Sequence, residues 1–147
     1  MDSPDLSVTD NPSLADIDFL DERIYEFNVE RTGYADGRKL AIFARDDGGA
    51  IVAGLWGWTW GGYCEVRTLW VHASLRRQGL GARLLLAAEE EARARKASYM
   101  LLATHSFQAP QYYPRFGYQR IATVPGKPPG HEEIWFRKEL CGVVAGG

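Results

Sequence analysis

Cysteine is scarce in this chain. Its 147 residues include two, Cys64 and Cys141. They are far apart in sequence and lack metal-ligand spacing, so neither a disulfide framework nor a zinc signature is indicated. A dominant charge is also missing. Seventeen Lys+Arg against 19 Asp+Glu leave −2, which argues against a chain-wide electrostatic role on nucleic acid or an anionic membrane. No apolar run approaches the roughly 18 residues of a membrane-spanning helix. The start, Met1-Asp2-Ser3-Pro4-Asp5, is acidic and lacks the basic start and apolar stretch of a signal peptide. A cytoplasmic protein that binds neither nucleic acid nor membrane is the expectation.

Hydrophobic residues make up 46% and charged ones 24%, enough for one core and against global disorder. The length fits a single domain over 1–147, with 141–147 as a loose tail. Repeats and linkers are not visible. Leu6 to Thr9 reads as a short first strand. Ser13 or Asp10 caps a helix in which Leu20, Ile24, Phe27 and Val29 recur at helical spacing, and Gly33 ends it. Leu40 to Ala44 is a second strand. Asp46-Asp47-Gly48-Gly49 is a turn, and a third strand runs from Ile51 to Trp60. After Gly61-Gly62 comes a fourth strand, Tyr63 to His72. A helix over 79–96 follows, then an apolar fifth strand over 98–104. Gln108 to Arg115 makes a short helix with Gly117 as its left-handed cap. Two more strands, 118–124 and 132–140, flank the rigid loop 125–131.

The stretch Arg76-Arg77-Gln78-Gly79-Leu80-Gly81-Ala82 joins the fourth strand to the longer of the two later helices. The first turn of a helix has N–H donors without an internal partner, and the helix dipole adds positive charge there. Such a place binds phosphate oxygens. Gly79 and Gly81 let a ligand approach the backbone, and Arg76 and Arg77 suit a pyrophosphate. A dinucleotide fingerprint would need glycine at 84, where Leu84 stands. A P-loop would need Gly-Lys-Ser/Thr, which is absent.

What remains, Arg-x-x-Gly-x-Gly between strand and helix, resembles the acetyl-CoA pyrophosphate signature of the GNAT N-acetyltransferase superfamily. A second phrase, Ala109-Pro110-Gln111-Tyr112-Tyr113-Pro114-Arg115-Phe116-Gly117-Tyr118, resembles that family's Ala-x-x-Phe-Tyr-x-x-x-Gly-Phe. The resemblance covers almost the whole chain. It implies an α/β (α+β) GNAT fold: a mixed, mostly antiparallel twisted sheet of about seven strands flanked by helices, with the fourth and fifth strands splayed apart. It also implies acetyl-CoA as co-substrate and no metal. Leu69, Trp70 and Val71 would hold the pantetheine and carbonyl, and Arg76 to Ala82 the pyrophosphate. Ser106 stands where the family often has a cofactor-side asparagine. The region between the first two strands, which usually walls the acceptor site, holds one clear helix rather than two, so no acceptor transfers by analogy.

Acetyl transfer to an amine needs a neutral nucleophile, a donor for the carbonyl oxygen and charge stabilisation at the departing thiolate. The resemblance gives Tyr113 the role of general acid; the alternative is an aromatic packed in the core. Neighbouring Tyr112 is expected only to pack. Glu65, an acid among apolar neighbours, is the candidate base, its pKa raised by desolvation. The alternative is a structural pair with Arg67 on the same strand face. His72, His105 and His131 are rival bases. Trp56, Trp58 and Trp60 share a face, either boxing an acceptor or packing under a helix. Cys64 has no recognisable activating base.

Three functions compete. The first is direct acetyl transfer from acetyl-CoA to a primary amine of a small molecule or an exposed protein amine. The second is a non-catalytic acyl-CoA sensor. The third is a ligand-free interaction domain, which the glycine turn argues against. Homodimerisation is left open.

Overall fold

The computed structural model describes residues 2–140. They fall into two compact units, one up to Ala35 and one from Asp36. The first holds helix α1, Leu14–Thr32. Ser13 caps it, its hydroxyl accepting from the Asp16 N–H at 3.1 Å. Gly33, at φ 77°, ends it by donating to the Val29 carbonyl at 2.8 Å. Both ends were legible because caps are local chemistry. The expected strand over Leu6–Thr9 does not form. Residues 2–9 take no regular structure, and Leu6 and Val8 are 94% and 100% exposed. Four residues with no neighbouring ladder gain too little to order.

The second unit is a six-stranded sheet, one strand fewer than expected. The strands are β1 (Arg38–Arg45), β2 (Ile51–Trp60), β3 (Tyr63–Val71), β4 (Tyr99–His105), β5 (Gln119–Pro125) and β6 (Glu132–Glu139), in the order β1-β2-β3-β4-β6-β5. Every pair is antiparallel except β3 with β4. Gly61 and Gly62, at φ 55° and 88°, supply the left-handed pair that a two-residue hairpin needs. The parallel step from β3 to β4 requires a crossover, provided by α2 (Leu80–Ala94).

Alternation along the strands sets the core. Ala53 and Leu55 of β2, Cys64 and Val66 of β3, and Met100 and Leu102 of β4 all point to one face and are buried. Leu84, Leu85, Ala88 and Ala92 of α2 join them in one cluster. Glu89 is also buried, at 1% exposure. Its carboxylate accepts from the Tyr118 hydroxyl at 2.8 Å and from Lys138 Nζ at 2.8 Å, so α2 is tied to β6 and to the residue leading into β5. Burial and the adjacent carboxylate raise the Tyr118 pKa. Removing one partner of a buried charge pair leaves the other uncompensated. We therefore expect Glu89→Ala to lose about 3–5 kcal/mol of stability, read as a lowered denaturant midpoint at unchanged slope.

One irregularity matters for the site. Trp56 pairs with Thr68 and Gly57 with Val66, so Arg67 is an extra residue in β3. A Cβ on Gly57 would collide with the Glu65 carbonyl, so only glycine permits the strands to approach there. The bulge reverses the alternation beyond it. Leu69 and Val71 pack against the core cluster, while Thr68 pairs with exposed Trp56.

Candidate active site

The parallel ladder between β3 and β4 is short. It joins Tyr63–Val66 to Tyr99–Leu102 and stops, although β3 continues to Val71 and β4 to His105. The two strands expected to splay do so from Arg67 onward. A cavity of about 880 Å³ occupies the gap, within the range of small-molecule sites. Leu69, Trp70 and Val71 wall it on one side and Ala103, Thr104 and His105 on the other.

Val71 and Arg76 line the end of the cavity nearest the glycine turn in sequence. Arg77 and Gly79 both take left-handed conformations, φ 63° and 79°, and α2 starts at Leu80. Gly79 offers no capping side chain, so the first-turn N–H groups lack the side-chain acceptor that a serine or aspartate would supply. Arg76 lines the cavity and donates from Nε to the Val71 carbonyl at 3.2 Å. Gln78 Nε2 donates to the Ser74 carbonyl at 3.3 Å, so it braces the turn. His72 Nδ1 accepts from the Ser74 N–H at 3.1 Å and caps the 3₁₀ turn Ala73–Leu75. That engagement weakens its claim as a base.

A second 3₁₀ turn, Pro110–Phe116, ends at Gly117 with φ 91°. It brings Tyr113 to the cavity wall. The Tyr113 ring packs on Tyr118 and Phe136, with centroids at 6.0 and 5.7 Å. Burial, and secondarily the Tyr112 hydroxyl, push its phenol up to about 12. The group is therefore protonated, and able to donate, across the physiological range. Tyr112 packs on Phe116 at 4.9 Å, but its hydroxyl also reaches the glycine turn, 3.2 Å from where a Gly81 Cβ would lie. The Ser106 hydroxyl accepts from the Glu132 N–H at 3.0 Å, fastening the end of β4 to the start of β6.

Glu65 sits on the surviving ladder, opposite Trp58 and Leu101, below the splay and not on the cavity wall. Burial raises its pKa, opposed by the Arg67 charge. No salt bridge within 4 Å joins the two. Arg67, by contrast, lines the cavity. So do Lys127 and Glu133, paired at 2.9 Å, and Gln108, whose Oε1 lies 3.0 Å from His105 Nδ1. Sequence reading missed Glu133 and Gln108. Their only signal was position, at a strand start and beside a loop. Cys64 is buried with its thiol pushed up to about 11, which removes it as a nucleophile. Trp56 is 40% exposed, and the three tryptophans are not on the cavity wall. Among the described residues no cluster of His, Cys, Asp and Glu could hold a metal ion.

Parallel strands that part over an uncapped helix start are the architecture of an acetyltransferase domain. The chain belongs to the acetyltransferase (GNAT) family, whose model matches residues 8–118. It is 34% identical over 114 residues to acetyltransferase Atu2258 of Agrobacterium fabrum strain C58, covering 78% of this chain and 83% of that protein. It is 37% identical over 121 residues to the blasticidin-S acetyltransferase of Streptomyces morookaense, covering 76% and 85%. A solved structure from Agrobacterium tumefaciens superposes with TM-score 0.82 at 29% identity, over 92% of this chain and 99% of that one.

Proposed function

We propose that the protein transfers the acetyl group of acetyl-CoA directly to a primary amine, acting on a small molecule or an exposed protein amine in the cytoplasm. The observation that carries this is the parting of β3 from β4 into a cavity that reaches Arg76, the first residue of the glycine turn. One extended ligand with a diphosphate at one end and a thioester at the other fits that path. Arg76, Arg77 and the first-turn N–H groups of Leu80, Gly81 and Ala82 take the phosphates. Backbone groups of Leu69, Trp70 and Val71, released from β4, take the pantetheine and the carbonyl oxygen. With the ligand so held, the amine nitrogen attacks the carbonyl carbon. A C–N bond forms, the C–S bond breaks, the amine proton leaves to a base, and the thiolate is met by the Tyr113 hydroxyl.

The base is assigned to Glu65 acting through water. Glu65 lies two residues below the parting and off the cavity wall, so water must carry the proton; burial raises its pKa, whereas that of Glu133, on the wall, is lowered chiefly by the hydrogen bond from Lys127. Activity then falls as pH drops through the Glu65 pKa, which lies above the ordinary carboxylate value. Glu65→Gln should remove that acidic limb and lower turnover about 100-fold. A limb retained in Glu65→Gln and lost in His105→Gln would transfer the role to His105.

The reading as a whole is tested by following free thiol release from acetyl-CoA across a broad set of amines. The expected product is an amide stable to hydroxylamine. Tight acetyl-CoA binding without thiol release on any amine would favour the sensor instead.

A further inference from the structure

The acceptor half of the cavity is not acidic, as a site for a purely cationic amine would be. Its charged lining beyond the glycine turn is Arg67, Lys127 and Glu133. Lys127 and the Trp135 indole N–H both go to Glu133 Oε1, at 2.9 and 3.0 Å, so that cation is spent. Arg67 is different. It is the bulge residue, outside the ladder on either side. It makes no side-chain hydrogen bond or salt bridge among the described residues. It is also remote from the phosphates: four strand residues, roughly 13 Å, separate it from Val71. Yet it lies only two residues, about 7 Å of strand, from Leu69, where the carbonyl-binding segment starts.

We propose that Arg67 is the anion-binding arm of the acceptor site, and that the acceptor is an amine which also carries a carboxylate a few bonds away. This rests on the acetyltransferase reading and narrows its substrate. A guanidinium matches a carboxylate through two parallel hydrogen bonds. Held there, the carboxylate anchors the substrate beside the splay and leaves its amine facing the thioester carbonyl. Glu133 lines the same cavity, and its second oxygen, which no hydrogen bond engages among the described residues, is available to receive the ammonium before it is deprotonated. The bulge is what makes this geometry. It takes the Arg67 backbone out of the β2 ladder at the point where β3 parts from β4.

The test uses matched acceptors: glycine, β-alanine and γ-aminobutyrate, each against its primary amide. Rates are expressed per neutral amine, because the amides have lower amine pKa values. In the intact protein at least one acid should exceed its amide in kcat/KM by about tenfold or more. Arg67→Gln should collapse that ratio to about one, chiefly through KM of the acid, with KM for acetyl-CoA unmoved. Arg67→Lys, which keeps charge but not the planar fork, should recover part of it. Arg67→Gln also alters the field at Glu65, but equally for both members of a pair, so the ratio isolates recognition. The proposal is overturned if amides match acids throughout, or if the ratio survives Arg67→Gln. It is also overturned if none of the six is acetylated while other amines are. Absence of thiol release with every amine, or of acetyl-CoA binding, marks failure of the acetyltransferase reading instead.

Discussion

Gly81→Glu should lower acetyl-CoA affinity by at least about 100-fold in a protein that still folds. Gly81 lies in the first turn of α2, where the phosphates are assigned. A Cβ there would meet Tyr112 Oη at 3.2 Å and Val71 Cγ2 at 3.7 Å. The carboxylate must then displace Tyr112 or project into the phosphate position. Either way the diphosphate loses charge-assisted hydrogen bonds worth about 1.5–3 kcal/mol each, and it meets a like charge. Gly79 makes the contrast. Nothing lies within 4 Å of its Cβ position, so Gly79→Ala is opposed only by the left-handed φ, about 1–2 kcal/mol. Calorimetry on both variants, with circular dichroism to confirm folding, separates blocking from strain. Unchanged affinity in folded Gly81→Glu contradicts the assignment of the turn.

Tyr113→Phe should lower turnover about 100- to 1,000-fold, the usual cost of losing one donor to developing charge, with acetyl-CoA affinity within about threefold. The ring is retained, so its packing on Tyr118 and Phe136 survives. With its phenol pushed up to about 12, Tyr113 is a weaker acid than a thiol of ordinary pKa, about 8.5. In the proposed reaction it would therefore act chiefly by donating a hydrogen bond to the forming thiolate rather than by losing its proton outright. It follows that Tyr113 contributes no alkaline limb below about pH 11. A limb near pH 8 that disappears in Tyr113→Phe would contradict the burial that sets its pKa. Turnover reduced less than about threefold would return Tyr113 to a packing role.

Much of this architecture was readable because it depends on local chemistry. Ser13 and Gly33 bound α1, Gly61-Gly62 fixes a hairpin, and Gly117 ends the second 3₁₀ turn. The glycine turn was readable for the same reason. The mixed, mostly antiparallel sheet and the splay of two of its strands came from resemblance to a family, not from periodicity. What failed did so through long-range pairing. Leu6 to Thr9 has strand-like residues but no partner. Glu89 is one of three consecutive acids, and only Tyr118 and Lys138, distant in sequence, explain its burial. The bulge at Arg67 defeats the period-two reading that put Glu65 and Arg67 on one face and made a structural pair the alternative to Glu65 as base. Gly57, an isolated glycine inside a strand, was the available signal. The cavity wall was least legible, since Arg67, Gln108, Lys127 and Glu133 are brought together from four separate segments.

The central claim is that one acyl-CoA lies along the splay with its diphosphate on the turn. Amide nitrogen–proton correlation spectra, recorded while acetyl-CoA is titrated in, test it most directly. Saturable shifts should concentrate at the N–H groups of Leu80, Gly81 and Ala82 and at Leu69 to Val71. Saturable binding that shifts other amides and leaves the glycine turn unchanged would contradict it.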